Sequence, residues 1–129
     1  MYNSMWFNNL EKPLFNPPSE IFPPIWAFLY ITIILSFLIF AATKSNYNKG
    51  KGFIFFTIQM ILNFIWSPVF FSFQNINLAL CIIILMLIFI IFTIVQFYKV
   101  SKISGIILIP YLLWVSFATY LNIAYAVLN

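Results

Sequence analysis

Apolar residues fall in four long stretches along the chain, at about residues 23–43, 53–73, 77–98 and 104–128. A bilayer core about 30 Å thick is crossed by a helix of about 20 mostly apolar residues, so each stretch is long enough to span it. The third stretch has no charged residue from 78 to 95 and would leave a soluble helix without a polar face. The pattern predicts an all-α membrane bundle of four transmembrane helices, with residues 1–129 as one domain.

The polar connections between these stretches are short, which favours antiparallel neighbours. Hydrophobic residues make up 64% of the chain and charged residues 6%, far from the composition of a soluble domain. Lysines concentrate on one side of the predicted bundle: Lys44, Lys49, Lys51, Lys99 and Lys102. Because cytoplasmic loops retain lysine, we expect a multi-pass protein of the cell membrane with both termini outside. The lysines form no stripe, so we expect no nucleic-acid partner.

The side chains of common catalytic sites are almost absent. The chain has no His, Asp or Arg, and its two carboxylates, Glu11 and Glu20, both precede the first apolar stretch. A Ser/His/Asp triad, a His/Cys zinc site and a relay of intramembrane carboxylates therefore lack their parts. We expect no catalytic residue, no metal site and no required cofactor.

One face of the second stretch carries polar and aromatic side chains. Gln59, Asn63, Trp66 and Phe70 follow one another at helical steps of four, three and four residues. An unpaired buried amide costs about 1–3 kcal/mol, so this face should point into the bundle, toward other helices or a ligand. On these residues alone we favour the first role, because amides commonly join membrane helices.

The fourth stretch repeats this arrangement. Five residues at steps of three or four share one face: Tyr111, Trp114, Ala118, Asn122 and Tyr125. A small residue such as Ala118 among rings either lets two helices approach closely or leaves room for a flat ligand. Pro68 and Pro110 should kink the second and fourth helices. Anchoring at the membrane interface also explains Trp66 and Trp114, although Trp66 lies well inside its stretch.

Residues 1–22, before the first helix, are rich in proline and aromatic residues. Pro13, Pro17 and Pro18 prevent a regular helix and favour a stiff, extended loop. Such a loop can cover a pocket as a lid, or lie as a tail in the membrane interface. The residues alone leave both roles open.

Four motifs run along the chain. They are W-F-x-x-L-E-K-P-x-x-x-P-P from Trp6, W-x-x-L-Y from Trp26, Q-x-x-x-N-x-x-W-S-P-x-F-F from Gln59 and P-Y-x-x-W-x-x-F-A-x-x-L-N from Pro110. Together they resemble the TspO/MBR family, also called translocator proteins, tryptophan-rich sensory proteins or peripheral-type benzodiazepine receptors. Members are five-helix bundles, whereas this sequence begins where the family's first helix should end, so we expect four helices here.

The resemblance implies a pocket for porphyrins, cholesterol or synthetic benzodiazepine-type ligands, closed by the first long loop. Carried across by motif, the binding residues are Phe7, Pro17, Trp26, Asn63, Phe70, Trp114 and Ala118. Aromatic walls would stack on a planar macrocycle, Asn63 would give one hydrogen bond, and Lys12 would pair with a propionate. The implied partners are a porphyrin or another hydrophobic small molecule, the lipid bilayer and, because members are often dimeric, a second copy of the chain.

Three functions are compatible with this resemblance. The first is porphyrin binding with a transport or sensory role in tetrapyrrole metabolism. The second is a structural or regulatory membrane subunit that binds no ligand, in which the amides serve helix association only. The third is an enzyme with weak, tryptophan-dependent porphyrin photo-oxidation, for which Trp26 and Trp114 are the candidates. We favour the first and expect an enzyme least.

Overall fold

A computed structural model describes residues 22–128 and confirms the all-α membrane bundle. Its elements are α1 (Phe22–Ala42), α2 (Gly50–Ser67), a π-helical turn (Pro68–Ser72), α3 (Ile76–Val100), α4 (Lys102–Ile107) and α5 (Ile109–Leu128). Within the described range, four segments are long and apolar enough to cross a membrane. They agree with the predicted stretches to within three residues at each end. The predicted lid, residues 1–22, lies outside the described range apart from Phe22.

Helix α2 begins before its apolar stretch, at Gly50 instead of Phe53. The Gly50 N–H donates to Asn48 Oδ1 at 2.7 Å, and the Phe53 N–H donates to the Lys49 carbonyl at 3.1 Å. The first bond satisfies an N–H group that the start of a helix leaves without a partner, and the second is the first regular helical bond of α2. Hydropathy locates only the apolar part of a helix, so it misses this polar first turn.

Proline distorts the bundle at the two predicted positions. At Pro68 the second span becomes π-helical, and the Phe73 N–H donates to the Pro68 carbonyl five residues back at 2.9 Å. Pro110 has no N–H to donate, and just before it the Leu108 N–H bonds the Gly105 carbonyl three residues back at 3.2 Å. The single helix predicted for residues 104–128 is therefore two helices, α4 and α5, because proline interrupts the helical hydrogen bonding.

Helix α3 packs along α2 on one side and along α4 and α5 on the other, while α1 packs on α4 and α5. Small residues permit the closest approaches. Ser36 Oγ donates to the Ser104 carbonyl at 2.6 Å, and Ser104 Oγ donates to the Ser36 carbonyl at 2.8 Å. A Cβ on Gly105 would lie 2.8 Å from Tyr98 Cβ, so only glycine fits there. Such contacts hold helices together in lipid, where apolar burial drives association weakly.

Stacked aromatic rings fill the lysine-bearing end of the bundle. Phe40 and Phe97 are buried, and their ring centroids are 4.0 Å apart. Phe56 lies against Phe97 at 5.7 Å, and a Cβ on Gly52 would lie 2.5 Å from Phe40 Cζ. This layer fills one end of the bundle, and the cavity between the helices lies toward the other end.

Candidate functional site

A cavity of about 240 Å³ lies between α1, α2, α3 and α5, near the first residues of α1. Its lining comprises Pro23, Trp26, Tyr30, Asn63, Trp66, Ser67, Ile83, Met86, Val115 and Ala118. A cavity of about 150 Å³ holds a benzene molecule, and clefts for drug-sized ligands begin at about 300 Å³. A cavity of this volume therefore fits a small ring system.

The lining residues of this cavity carry no formal charge. An unpaired ion would be costly to bury there, so the cavity favours a neutral ligand or the neutral part of one. Within residues 22–128 no group of three or more His, Cys, Asp or Glu residues is placed to hold a metal ion. The thiol of Cys81 is exposed on the outside of α3. The site is therefore suited to binding by shape, ring contacts and hydrogen bonds.

Aromatic side chains form a wall of the cavity on α1. Trp26 and Tyr30 stand one helical turn apart, with ring centroids separated by 5.8 Å. The Trp114 ring on α5 meets Trp26 edge-on, at 6.5 Å and an interplanar angle of 89°. Edge-to-face contact is a favourable geometry for aromatic pairs, so the two indoles hold each other in place. A fixed aromatic wall is typical of a site for flat apolar ligands.

A chain of hydrogen bonds links α1, α2 and α5 beside the cavity. Tyr30 Oη donates to Asn63 Oδ1 at 2.8 Å, and Asn63 Nδ2 donates to Tyr111 Oη at 2.8 Å. Tyr111 Oη in turn donates to Gln59 Oε1 at 2.7 Å. Gln59, Asn63 and Tyr111 are all buried, which confirms the prediction that the amides face the interior.

Asn63 belongs both to this hydrogen-bond chain and to the cavity lining. Its amide nitrogen has two hydrogens, and among the described residues Tyr111 alone accepts one of them. The second hydrogen can be donated to an acceptor atom on a ligand. Helix association and ligand binding, the two roles considered for this residue, are therefore compatible in one side chain.

A second pair of bonds holds Trp66 within the bundle. Its Nε1–H donates to Asn122 Oδ1 at 2.9 Å, and Asn122 Nδ2 donates to the Ile76 carbonyl at 3.1 Å. The indole N–H is thus bonded to a buried amide of α5. The Trp66 side chain also forms part of the cavity wall.

The structure brings three of the predicted binding residues together around the cavity: Trp26, Asn63 and Ala118. Trp114 is not among the lining residues, but its ring contacts Trp26 edge-on. Phe70, in the π-helical turn, is also outside the lining and contacts Trp66, with 5.3 Å between the ring centroids. The remaining two, Phe7 and Pro17, lie outside the described residues, and their role in binding stays a prediction.

Other lining residues were not among those predicted. Tyr30 closes the W-x-x-L-Y motif, and its spacing of four from Trp26 places it on the same helical face. Ile83 and Met86 come from α3, where nearly every residue is apolar and no contrast marks the inner face. A polar or small residue at position 83 or 86 would have marked the inner face of α3, but both positions carry large apolar side chains.

Comparison with known proteins gives consistent matches along the chain. The family model described as the TspO/MBR family matches residues 1–128. The tryptophan-rich protein TspO of Chlorobaculum tepidum is 41% identical over 98% of this chain and 80% of its own length. The tryptophan-rich sensory protein of Cereibacter sphaeroides is 33% identical over 91% of this chain and 72% of its own. The human translocator protein is 32% identical over 91% of this chain and 70% of its own.

Proposed function

The chain belongs to the TspO/MBR family, and we propose that this integral membrane protein binds a porphyrin or a similar flat hydrophobic molecule in its intramembrane cavity. Its role would be transport or sensing in tetrapyrrole metabolism. The observation that carries the proposal is the uncharged cavity walled by Trp26 and Trp66, with Asn63 as a hydrogen-bond donor. Ring stacking and one oriented bond are sufficient to recognise a flat ring system.

The size of the cavity limits how such a ligand binds. A macrocycle of four pyrrole rings exceeds the cavity volume of about 240 Å³, so one edge would enter between Trp26 and Ala118. The remainder would be covered by the amino-terminal segment, through Phe7 and Pro17, with Lys12 pairing with a propionate. This arrangement keeps the carboxylates outside the uncharged interior.

Titration of the detergent-purified chain with protoporphyrin in the dark, followed by tryptophan fluorescence quenching, tests the proposal. Ala118→Phe fills the cavity, and Ala27→Phe makes the same change at an exposed position of α1 outside the lining. We expect saturable quenching for the native chain and Ala27→Phe, and at least tenfold weaker binding for Ala118→Phe. Asn63→Leu should weaken binding as well.

Equal, non-saturating quenching in all four proteins would mean that the porphyrin only partitions into the micelle. The function as a membrane subunit without a ligand would then be favoured, and a specific observation supports it: the bonds through Asn63 and Asn122 already serve helix association. That alternative predicts that protoporphyrin leaves the unfolding midpoint of the chain unchanged, because a ligand stabilises only a state that it binds.

Photo-oxidation of the porphyrin is the third candidate, supported by the contact between Trp26 and Trp114. If these indoles relay electrons from photoexcited porphyrin to dissolved oxygen, which is the oxidant, Trp26→Phe and Trp114→Phe should abolish the light- and oxygen-dependent loss of porphyrin absorbance while binding in the dark persists. Loss of absorbance at the same rate in native chain and variants would exclude this chemistry.

We also propose that the lysine-bearing end faces the cytoplasm, because cytoplasmic loops retain lysine. In a Cys81→Ala background, a single cysteine at Asn46 or at Gln74 reports the two ends of the bundle, since both positions are exposed. A membrane-impermeant maleimide should label Gln74→Cys in intact cells and Asn46→Cys only after permeabilisation. The reverse pattern would invert the topology.

A further inference from the structure

Five lysines lie at one end of the bundle, and the described range holds no carboxylate side chain to balance them. Residues 22–128 contain no Asp or Glu, and the two side-chain carboxylates of the chain, Glu11 and Glu20, both precede this range. Together they could neutralise only two of the five ammonium charges, so this end keeps a positive charge whatever their position. We call these residues the lysine cluster: Lys44, Lys49, Lys51, Lys99 and Lys102.

The lysine cluster lies where the apolar helices end. Lys44 follows the last residue of α1 by two positions, Lys51 is in the first turn of α2, and Lys99 is in the last turn of α3. The ends of membrane-spanning helices lie at the boundary of the hydrocarbon core, and lysine side chains extend from there toward the headgroups. The connection at the opposite end, residues 73–75, has no charge. Within the described range, the charge therefore lies at the depth of the lipid phosphates of one leaflet.

Contacts between the loop and the helix ends hold two of these lysines in place. Tyr47 Oη donates to Gln96 Oε1 at 2.9 Å, which ties the loop between α1 and α2 to α3. Lys99 Nζ donates to Tyr47 Oη at 3.3 Å and lies 5.4 Å from the centroid of that ring. Lys49 Nζ donates to the Ala41 carbonyl at 3.1 Å, at the end of α1. The loop therefore has a fixed position, and the lysine cluster is brought together before any partner binds.

The other three lysines have their ammonium groups available. Lys44, Lys51 and Lys102 are exposed, and none makes a hydrogen bond or ion pair with another described residue. An ammonium group has three hydrogens to donate and no acceptor, which suits the oxygens of a phosphate group. Ile54, one helical turn after Lys51, is 57% exposed, and Ile103 in α4 is 62% exposed. This end therefore offers charge for a phosphate and, next to it, apolar side chains for an acyl chain.

We propose that the lysine cluster binds an anionic phospholipid of its own leaflet, with the lysines on the headgroup and the exposed isoleucines on the acyl chains. A lysine near an anionic bilayer surface contributes about fivefold to affinity, so three available lysines discriminate against a zwitterionic lipid. A free phosphate ion shares the headgroup chemistry, but only the lipid has acyl chains for the isoleucines. The proposal does not use the cavity, so lipid binding and porphyrin binding can fail independently.

The test measures lipid contact at the two ends of the bundle separately. In a Cys81→Ala background, a bimane fluorophore on Asn46→Cys reports the lysine-bearing end, and the same label on Gln74→Cys is the matched control at the other end, since both positions are exposed. The full chain is reconstituted in phosphatidylcholine vesicles. A nitroxide-labelled lipid that quenches bimane on contact is then titrated in, either as phosphatidylglycerol or as phosphatidylcholine.

Replacing Lys44, Lys51 and Lys102 by Gln removes the three available charges, and replacing them by Arg keeps the charges. At position 46 we expect half-quenching at an at least threefold lower mole fraction of phosphatidylglycerol than of phosphatidylcholine, for the native lysines and for the Arg variant. In the Gln variant, and at position 74 in every protein, both lipids should quench equally. Quenching by phosphatidylcholine should be the same in all proteins, which checks that the variants insert and fold.

Equal quenching by both lipids at position 46 with the native lysines would overturn the proposal. A preference of the same size at position 74, or in the Gln variant, would also overturn it, because the lysine cluster would not be its source. A preference that inorganic phosphate removes, but chloride at the same ionic strength does not, would assign the cluster to a free phosphate instead of a lipid.

Discussion

Removing one hydroxyl, in Tyr111→Phe, should destabilise the bundle measurably. Tyr111 Oη lies between two buried amides, accepting from Asn63 Nδ2 at 2.8 Å and donating to Gln59 Oε1 at 2.7 Å. Phenylalanine keeps the ring and its packing, so the change is confined to these two bonds and a longer contact of the hydroxyl with Met86 Sδ at 3.9 Å. Both amides then lose a partner inside the bundle, where an unsatisfied polar group is costly.

The magnitude follows from the number of bonds. Hydrogen bonds between membrane helices contribute on average about 0.6 kcal/mol and at most about 1.7 kcal/mol each. Losing two of them should lower the free energy of unfolding by about 1–3 kcal/mol. Tyr30→Phe removes only the bond to Asn63 Oδ1 and should cost about half as much.

Unfolding in mixed micelles, followed by tryptophan fluorescence as sodium dodecyl sulfate is added, measures these losses. Tyr98→Phe is the matched control, because that tyrosine is 46% exposed on α3. We expect the loss of stability to increase from Tyr98→Phe through Tyr30→Phe to Tyr111→Phe. If Tyr111→Phe were no less stable than Tyr98→Phe, the hydrogen-bond chain would not stabilise the fold and the reasoning would be refuted.

Three further changes are expected to alter the midpoint of the same unfolding curve. Gly105→Ala places a Cβ 2.8 Å from Tyr98 Cβ and should lower the free energy of unfolding by about 1–3 kcal/mol. Gly50→Ala is its control: the new Cβ would contact only the flexible Asn48 side chain, so the loss should be less than about 1 kcal/mol. Ser36→Ala and Ser104→Ala should each lower the free energy of unfolding. The double variant should lose less than the sum of the two single losses, because the two reciprocal bonds depend on each other. Strictly additive losses would argue against this coupling. Gln74→Gly should stabilise by about 1 kcal/mol, because Gln74 has a φ of 55°; a lower midpoint would contradict this.

The hydropathy pattern was sufficient to predict the four spans, because a membrane helix must be apolar along its whole length. The kinks at Pro68 and Pro110 were also predictable, since proline cannot donate a helical hydrogen bond. The form that they take was not: one is a π-helical turn and the other a break between two helices. Which distortion occurs depends on the packing of neighbouring helices, which local sequence does not specify.

The candidate site was predictable where a polar or small residue stood out on an apolar face, as for Asn63 and Ala118. The inner face of α3 could not be predicted, because Met86 lies among residues of nearly equal hydropathy. The pairing of Ser36 with Ser104 also escaped prediction, because 68 residues separate them and no local pattern connects them. Of the hydrogen-bond chain, the sequence predicted only that the amides of Gln59 and Asn63 are buried. Their tyrosine partners could not be predicted, because they depend on how α1 and α5 approach α2.

The placement of the lysines has a consequence for energy coupling. A membrane potential does work only on charge that moves through it, about 2.3 kcal/mol per elementary charge for each 100 mV. From Phe53 to Tyr98 the chain has no charged residue, and its cavity lining is uncharged. A rearrangement of α2 and α3 between these residues would therefore move no charged side chain through the membrane field.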